Sequence, residues 1–210
     1  MKIGIIDLGI NNLSSVSRAF SLAKDNSDEI KIISTQQNEN FDLLILPGLG
    51  SFAAGMQALN DLNLIEWIST SVLHGTRIVG ICLGMQLLAS SSDESPSVQG
   101  LGLLEGDVSK LIRDEQFKVP HMGWNEVNSS RANNFMDILN GGGDYYFVHS
   151  YHLVPFDADV IIGETLFGKR NFTSVVLSKN ILGFQFHPEK SGNRGQELIS
   201  EVIKWARNEN

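Results

Sequence analysis

One cysteine, one His-x-Glu pair and a Pro-Gly-x-Gly turn hold the residue types from which nucleophilic chemistry is built. Cys82 is the single cysteine of the chain and stands in Gly80-Ile81-Cys82-Leu83-Gly84, between the apolar run Arg77 to Ile81 and the helix-like Met85-Gln86-Leu87-Leu88-Ala89. With no second cysteine it has no intrachain disulfide partner. A glycine two residues to either side suits a very tight strand-to-helix turn, because glycine lacks the Cβ that would collide there. Such a turn lifts the side chain to the top of a sheet. It sets the sulfur beside the first N–H groups of the helix, where thiolate is favoured over thiol. A buried structural thiol is the competing explanation.

Phe184-Gln185-Phe186-His187-Pro188-Glu189 ends a strand-like run from Ile181. If that run stays extended, His187 and Glu189 project to one side, since strand side chains alternate, and Pro188 bars a helix from starting before it. A histidine backed by a carboxylate is the base-plus-orienter half of a triad. Taken alone, it is also a common surface pair at a strand end. Pro47-Gly48-Leu49-Gly50 follows the strand candidate Leu43 to Leu46. Loops at the carboxyl ends of neighbouring parallel strands share one crevice, so N–H groups there, with that of Leu83, would stabilise an oxyanion. An ordinary tight turn explains the same residues. Gln86, four residues after Cys82, lies on the same helical face. Its amide both donates and accepts, which suits an amino-acid-like substrate, although it is also an ordinary residue for a partly exposed helix. His74 reads as a solvated helix end. His121, His149 and His152 lie in aromatic-rich stretches without metal-ligand spacing. No metal or other cofactor is expected, and no Gly-x-x-x-x-Gly-Lys-Ser/Thr phosphate loop is present.

The elements that must position these groups read as an α/β fold. Ile3 to Ile6, Ile30 to Ile33, Leu43 to Leu46 and Arg77 to Ile81 are short apolar runs of the buried-strand kind. They alternate with helical patterns on Leu13, Val16, Ala19, Phe20 and Ala23, from Phe52 to Leu59, and from Leu64 to Leu73. That alternation marks parallel βαβ units and an open, doubly wound sheet. After the polar loop Ser90 to Ser97 the pattern changes to antiparallel-type strands at Asp107 to Ile112, Asn125 to Val127, Tyr145 to Val148, Val160 to Ile162 and Phe172 to Leu177. The glycines of Asn140 to Asp144 read as a turn. Leu198, Ile199, Val202, Ile203 and Ala206 form the stripe of a closing helix.

A chain of 210 residues, 42% of them hydrophobic, has enough apolar material for one substantial core, and one domain over residues 1–210 is expected. The net charge of -8 argues against a nucleic-acid partner, which needs clustered Lys and Arg. No run reaches the ~20 apolar residues of a membrane span, and Asp7 interrupts the apolar start too early for a signal peptide. A lone cysteine fits a reducing compartment, so a cytoplasmic location is expected.

With these motifs in place, the chain resembles the class I, triad-type glutamine amidotransferases, and within them the glutaminase subunits of imidazole glycerol phosphate synthase. The resemblance rests on Leu46-Pro47-Gly48-Leu49-Gly50-Ser51-Phe52, Gly80 to Leu88, Val119-Pro120-His121-Met122-Gly123-Trp124-Asn125, Tyr146-Phe147-Val148-His149-Ser150-Tyr151 and Gln185 to Ser191. It implies a flavodoxin-like fold with an added antiparallel region, with Cys82 as nucleophile, His187 as base then acid and Glu189 as its orienter. Gly48, Leu49, Gly50 and Leu83 would form the oxyanion site. Gln86, His149, Ser150 and Tyr151 would hold glutamine. The implied activity is hydrolysis of glutamine to glutamate and ammonia. The ammonia would pass to a (β/α)8 barrel cyclase that makes imidazole glycerol phosphate and AICAR in histidine biosynthesis. Asn12, Trp124 and Lys190 match positions near that partner. The loop Asp7-Leu8-Gly9-Ile10-Asn11-Asn12 departs from the usual Asp-Tyr-Gly-x-Gly-Asn, and Leu49 replaces the common Val. Three other readings share the motifs: a paralogue feeding another cyclase-like partner, as in surface-sugar amidation; a stand-alone γ-glutamyl hydrolase; and a non-catalytic relative, which a broken triad would mark.

Overall fold

The structure is a computed structural model that describes residues 1–9, 13–113, 118–129 and 143–207. The first half runs β1 (Lys2–Ile6), α1 (Leu13–Ala23), β2 (Glu29–Ile33), β3 (Leu43–Gly48), α2 (Phe52–Asp61), α3 (Ile65–Leu73), β4 (Arg77–Cys82) and α4 (Leu83–Leu87). The second half adds β5 (Ser91–Ser92), β6 (Gly106–Lys110), β7 (His121–Glu126), β8 (Asn128–Ser129), β9 (Asp144–His149) and β10 (Tyr151–Pro155). Strands β11 (Ile161–Phe167), β12 (Arg170–Ser178) and β13 (Ile181–Phe184) follow, and α5 (Gly192–Ala206) closes the chain.

The central sheet has the order β2-β1-β3-β4-β13-β12-β11-β8. It is parallel from β2 to β13 and antiparallel beyond. The inner strands β1, β3, β4 and β13 are buried on both sides because helices cover both faces. Alternate residues of β3 divide between the two layers: Leu43 and Ile45 pack with Val16, Phe20, Leu198 and Val202 of α1 and α5. Leu44 and Leu46 pack with Phe52, Met56, Ile68 and Leu87 of α2, α3 and α4. The antiparallel additions are a three-stranded sheet, β10-β6-β5, and a two-stranded ribbon, β7-β9. No helix among the described residues is long and apolar enough to cross a membrane.

The expected alternation of strands and helices is present, and the differences lie in the second half. The segment expected as a strand at Asn125 to Val127 begins earlier, at His121, and a separate strand follows at Asn128. The strand alternates, but Met122 and Trp124 take its exposed positions and Gly123, at φ 135°, an inward one, so the sequence shows no apolar face of the usual kind. Strand β11 runs on to Phe167 past Ile162, because register shifts around Gly163 interrupt the pattern of two. Strand β10 was not expected; its Pro155 reads as a breaker but sits at the strand end. The turn expected at Asn140 to Asp144 lies largely outside the described residues.

Candidate active site

The site is built where β4 meets α4 with no loop between them. Cys82 takes φ 54° and ψ −109°, a backbone conformation that L residues rarely adopt and that costs about 1–3 kcal/mol. The flanking glycines let α4 fold straight back onto the sheet. A Cβ on Gly84 would lie 1.7 Å from the Leu46 carbonyl oxygen, and one on Gly80 would lie 2.7 Å from the Met85 backbone.

Parallel pairing sets Gly48 beside Cys82 in register. Leu49 and Gly50 continue over the top, with Gly50 at φ 106° where only glycine is unstrained. A cavity of about 210 Å³ opens there, lined by Leu49, Gly50, Cys82, Leu83, Gln86, Glu94, Pro120, Val148, His149, Ser150 and Tyr151. It lies below the ~300 Å³ at which drug-sized ligands begin, a size for an amino acid. A larger groove, about 1000 Å³, lies at the amino ends of the same strands. Charges there are engaged with one another, as in Met1 amino group to Asp28 and Arg207 to Asp25, and no cysteine lines it.

His187 and Glu189 stand behind the sulfur, both buried, with His187 Nδ1 2.8 Å from Glu189 Oε1. The route differs from the extended segment expected. Strand β13 ends at Phe184, and a single 3₁₀ turn over Pro188–Lys190 brings Glu189 back to the ring. Pro188 opens that turn, where its missing N–H costs nothing. The ribbon secures the base as well, since His187 N–H donates to the Tyr146 carbonyl at 2.9 Å, and after the turn Ser191 Oγ donates to the His187 carbonyl at 2.6 Å. Burial works against a charged ring. Electrostatic and hydrogen-bond coupling to Cys82, then to Glu189, outweighs this and raises His187 to about 10. His187 Nε2 is buried and makes no well-formed hydrogen bond. The sulfur instead meets the Val148 carbonyl at 3.9 Å and the Gln185 amide at 3.8 Å.

Gln86 reaches the cavity wall, but both of its N–H donors are engaged, on the Tyr151 carbonyl at 2.8 Å and on Gln185 Oε1 at 3.1 Å. Its side chain therefore faces the cavity as an acceptor, a narrower role than the donor-and-acceptor expected. His149 is likewise committed within the protein. Nδ1 donates to the Tyr151 carbonyl at 2.9 Å, which can only accept, so Nε2 accepts from His121 Nδ1 at 3.0 Å. Its ring thus braces the wall formed by Ser150 and Tyr151. Glu94, a cavity residue not foreseen, accepts the Phe52 N–H at 2.7 Å. In the sequence it is one more acid in a polar loop, and only its place after α4 hints at the site.

Burial among Phe147, Phe167 and Phe172 lowers His121 to about 4. Burial, aided by nearby His121, His152 and His187, lowers His149 to about 3 against the pull of the Tyr151 carbonyl. Both folded values lie below the unfolded one, so the folded state binds fewer protons just below pH 6.5 and stability falls as pH drops through that value. Each ring is expected to add a slope of about 1.4 kcal/mol per pH unit. His187 has the opposite sign, its contribution being lost as pH rises towards 10. Urea unfolding between pH 5 and 6.5 measures the slope. His121→Asn should flatten it by at least one ring's share, and an unaltered slope contradicts the assignment.

Trp124 and Met122 project outward from β7, 55% and 64% exposed. Trp124 packs edge-on to Tyr146 at 5.9 Å, and Lys190 Nζ sits 6.0 Å from the same ring. The two expected partner-facing residues thus flank Tyr146 on one surface. Asn12, the third, lies outside the described residues. No cluster of three or more metal-ligating side chains occurs among the described residues.

The family model "Glutamine amidotransferase class-I" matches residues 5–205. The chain is 42% identical over 210 residues to "Imidazole glycerol phosphate synthase subunit HisH" of Prochlorococcus marinus, covering 100% of this chain and 97% of the relative. The protein of the same name from Thermotoga maritima is 41% identical over 206 residues, with 97% of each chain covered. Among solved structures, that of PurLQS from Thermotoga maritima superposes with a TM-score of 0.70 over 97% of this chain and 98% of the other; at 17% identity this speaks to the fold alone. The chain therefore belongs to the class-I glutamine amidotransferase family and, within it, groups with the HisH subunits of imidazole glycerol phosphate synthase.

Proposed function

We propose that this chain is the glutaminase subunit of an imidazole glycerol phosphate synthase, a single cytoplasmic domain that hydrolyses glutamine and passes the ammonia to a (β/α)8 barrel cyclase. The observation that carries the reading is the meeting of a strained elbow cysteine with a buried His187–Glu189 pair beside an amino-acid-sized cavity. Full-length similarity to proteins named HisH supports the pathway.

Glutamine enters with its α-ammonium towards the Glu94 carboxylate, and Ser150, Tyr151 and the Gln86 oxygen hold it. With the proton of the thiol held on His187 Nε2, the Cys82 sulfur attacks the side-chain carbonyl carbon. The oxyanion develops against the N–H of Leu83, which as the first helical residue has no intrahelical partner, and against the Gly48-Leu49-Gly50 loop. Imidazolium His187 protonates the departing nitrogen as the C–N bond breaks, leaving a γ-glutamyl thioester and ammonia. Water, deprotonated by His187, then attacks the thioester, and glutamate and the thiol are regenerated. Glu189 keeps Nδ1 protonated and the ring oriented throughout. Ammonia in bulk water would be protonated and lose its nucleophilicity, so a partner must cover the mouth. The exposed Trp124 and Met122, with Lys190 beside them, supply a docking surface on the ribbon that carries Val148 and His149.

Copurification with the cyclase encoded in the same genome, followed by a glutaminase assay with and without the cyclase's substrate, tests the reading. Glutamate release is expected to rise at least about tenfold when the cyclase is loaded, the size of an ordinary allosteric coupling. Full activity of the chain alone would favour an independent hydrolase. Stimulation only by a different cyclase would favour a paralogous pathway.

A further inference from the structure

The nucleophile has a neighbour that the triad does not use. Gln185 follows β13, whose register with β4 pairs Phe184 with Ile81, so the next residues along, Gln185 and Cys82, stand side by side at the carboxyl end of the sheet. Gln185 is completely buried. Its main-chain N–H donates to the Ser174 carbonyl at 2.9 Å, which anchors the backbone independently of the side chain. Its side-chain amide lies between two groups: Nε2 is 3.8 Å from Cys82 Sγ, and Oε1 is 3.1 Å from Gln86 Nε2.

An amide's two ends are told apart by their partners. The Tyr151 carbonyl can only accept, so the Gln86 group 2.8 Å from it must be the NH₂. Its second N–H then points at Gln185 and requires the oxygen there. The Gln185 NH₂ is thereby turned to the sulfur. The Tyr151 carbonyl is itself held by His149, and His149 by His121, whose Nε2 is 3.4 Å from the Asn125 amide. Every donor in this string meets an acceptor, so the direction at Cys82 is imposed from outside the triad. Half-satisfied alternatives are costly in a buried site.

We propose that Gln185 is a further catalytic residue, whose amide donates a hydrogen bond to the Cys82 sulfur and stabilises its anionic form before attack on the substrate carbonyl. Gln185 transfers no proton; that remains with His187. This rests on the glutaminase reading above. A donor at the sulfur is most valuable when charge is concentrated there, and a hydrogen bond to a charged group is worth roughly 10- to 100-fold in rate.

The test uses the full chain with its cyclase for kinetics and the full chain alone for thiol chemistry. Because Cys82 is the single cysteine, every iodoacetamide adduct seen by intact mass reports on it. Gln185→Met keeps the length and removes the donor. It is expected to lower kcat roughly 10- to 100-fold with little change in KM, and to move the pH profile of alkylation upward by about one unit. If that variant does not fold, Gln185→Glu, which keeps the bond from Gln86 but offers an oxygen to sulfur, carries the same expectation. A raised KM with a parental alkylation profile would mean that Gln185 only props Gln86, and overturns the proposal; so does a parental kcat. Failure of the glutaminase reading itself shows separately, as glutamine hydrolysis that survives Cys82→Ala.

Discussion

Cys82→Ala is expected to reduce glutamine hydrolysis by at least about 10⁴-fold while ammonium-dependent product formation by the complex with the cyclase continues. The chain has no other thiol to substitute. The proposed route has no step that avoids a sulfur bond to the substrate, so removal of the nucleophile leaves only binding and the oxyanion site. The fold should be unaffected. Alanine fits the space of a cysteine that is 5% exposed, and it meets the same positive φ with the same Cβ. Glutamate release and ammonium-driven cyclase turnover, measured on the same preparation with its circular dichroism, separate the outcomes. Loss of both reactions would point to a damaged interface, and retention of both would remove Cys82 from the chemistry.

The second large effect concerns the turn that presents the sulfur. Gly84→Ala is expected to cost at least about 3 kcal/mol of stability, beyond the ordinary penalty for an overfilled core, and to abolish activity in whatever fraction still folds. The added methyl would sit 1.7 Å from the Leu46 oxygen and 2.7 Å from its carbonyl carbon. Both atoms belong to the backbone of β3, the central strand next to β4. No rotamer relieves that contact, so either α4 lifts off the sheet or β3 shifts, and each moves Cys82. Gly75→Ala is the control. It also places a side chain at positive φ but meets nothing within 4 Å, so about 1–2 kcal/mol is expected. Urea unfolding of the two variants measures the difference. Similar losses would show that the elbow is not packed as described.

Cys82 between its glycines was legible in the sequence because local sterics impose that spacing: a tight strand-to-helix turn admits few residues at i−2 and i+2. The parallel half of the sheet was legible for a related reason. Strands buried on both faces, such as Leu43 to Leu46, become continuous apolar runs that stand out from the helices between them. His187 and Glu189 were legible as a pair but not in their geometry. An extended strand and a 3₁₀ turn both bring residues two apart to one group, and the choice was made by Pro188 opening the turn and by the Tyr146 carbonyl holding His187 in place. The ribbon was harder to see. His121 and Trp124 alternate correctly between core and solvent, but Gly123 and Pro120 carry the marks of a loop.

What the sequence by itself determined is therefore the nucleophile's turn, the base with its carboxylate, the glycine loop and the layered architecture, all set by interactions within a few residues or by hydrophobic period. Only the tertiary structure decided the rest. Glu94 became a cavity residue because its loop folds back on the start of α2. His149 became a brace because His121, 28 residues away, takes its second nitrogen. Gln185 turned its donor to Cys82 because β13 lies in register beside β4 and Gln86 claims the amide oxygen. Each of these roles depends on which partner stands opposite across the sheet. That is fixed by strand order and register, properties of the assembled fold that no local pattern carries.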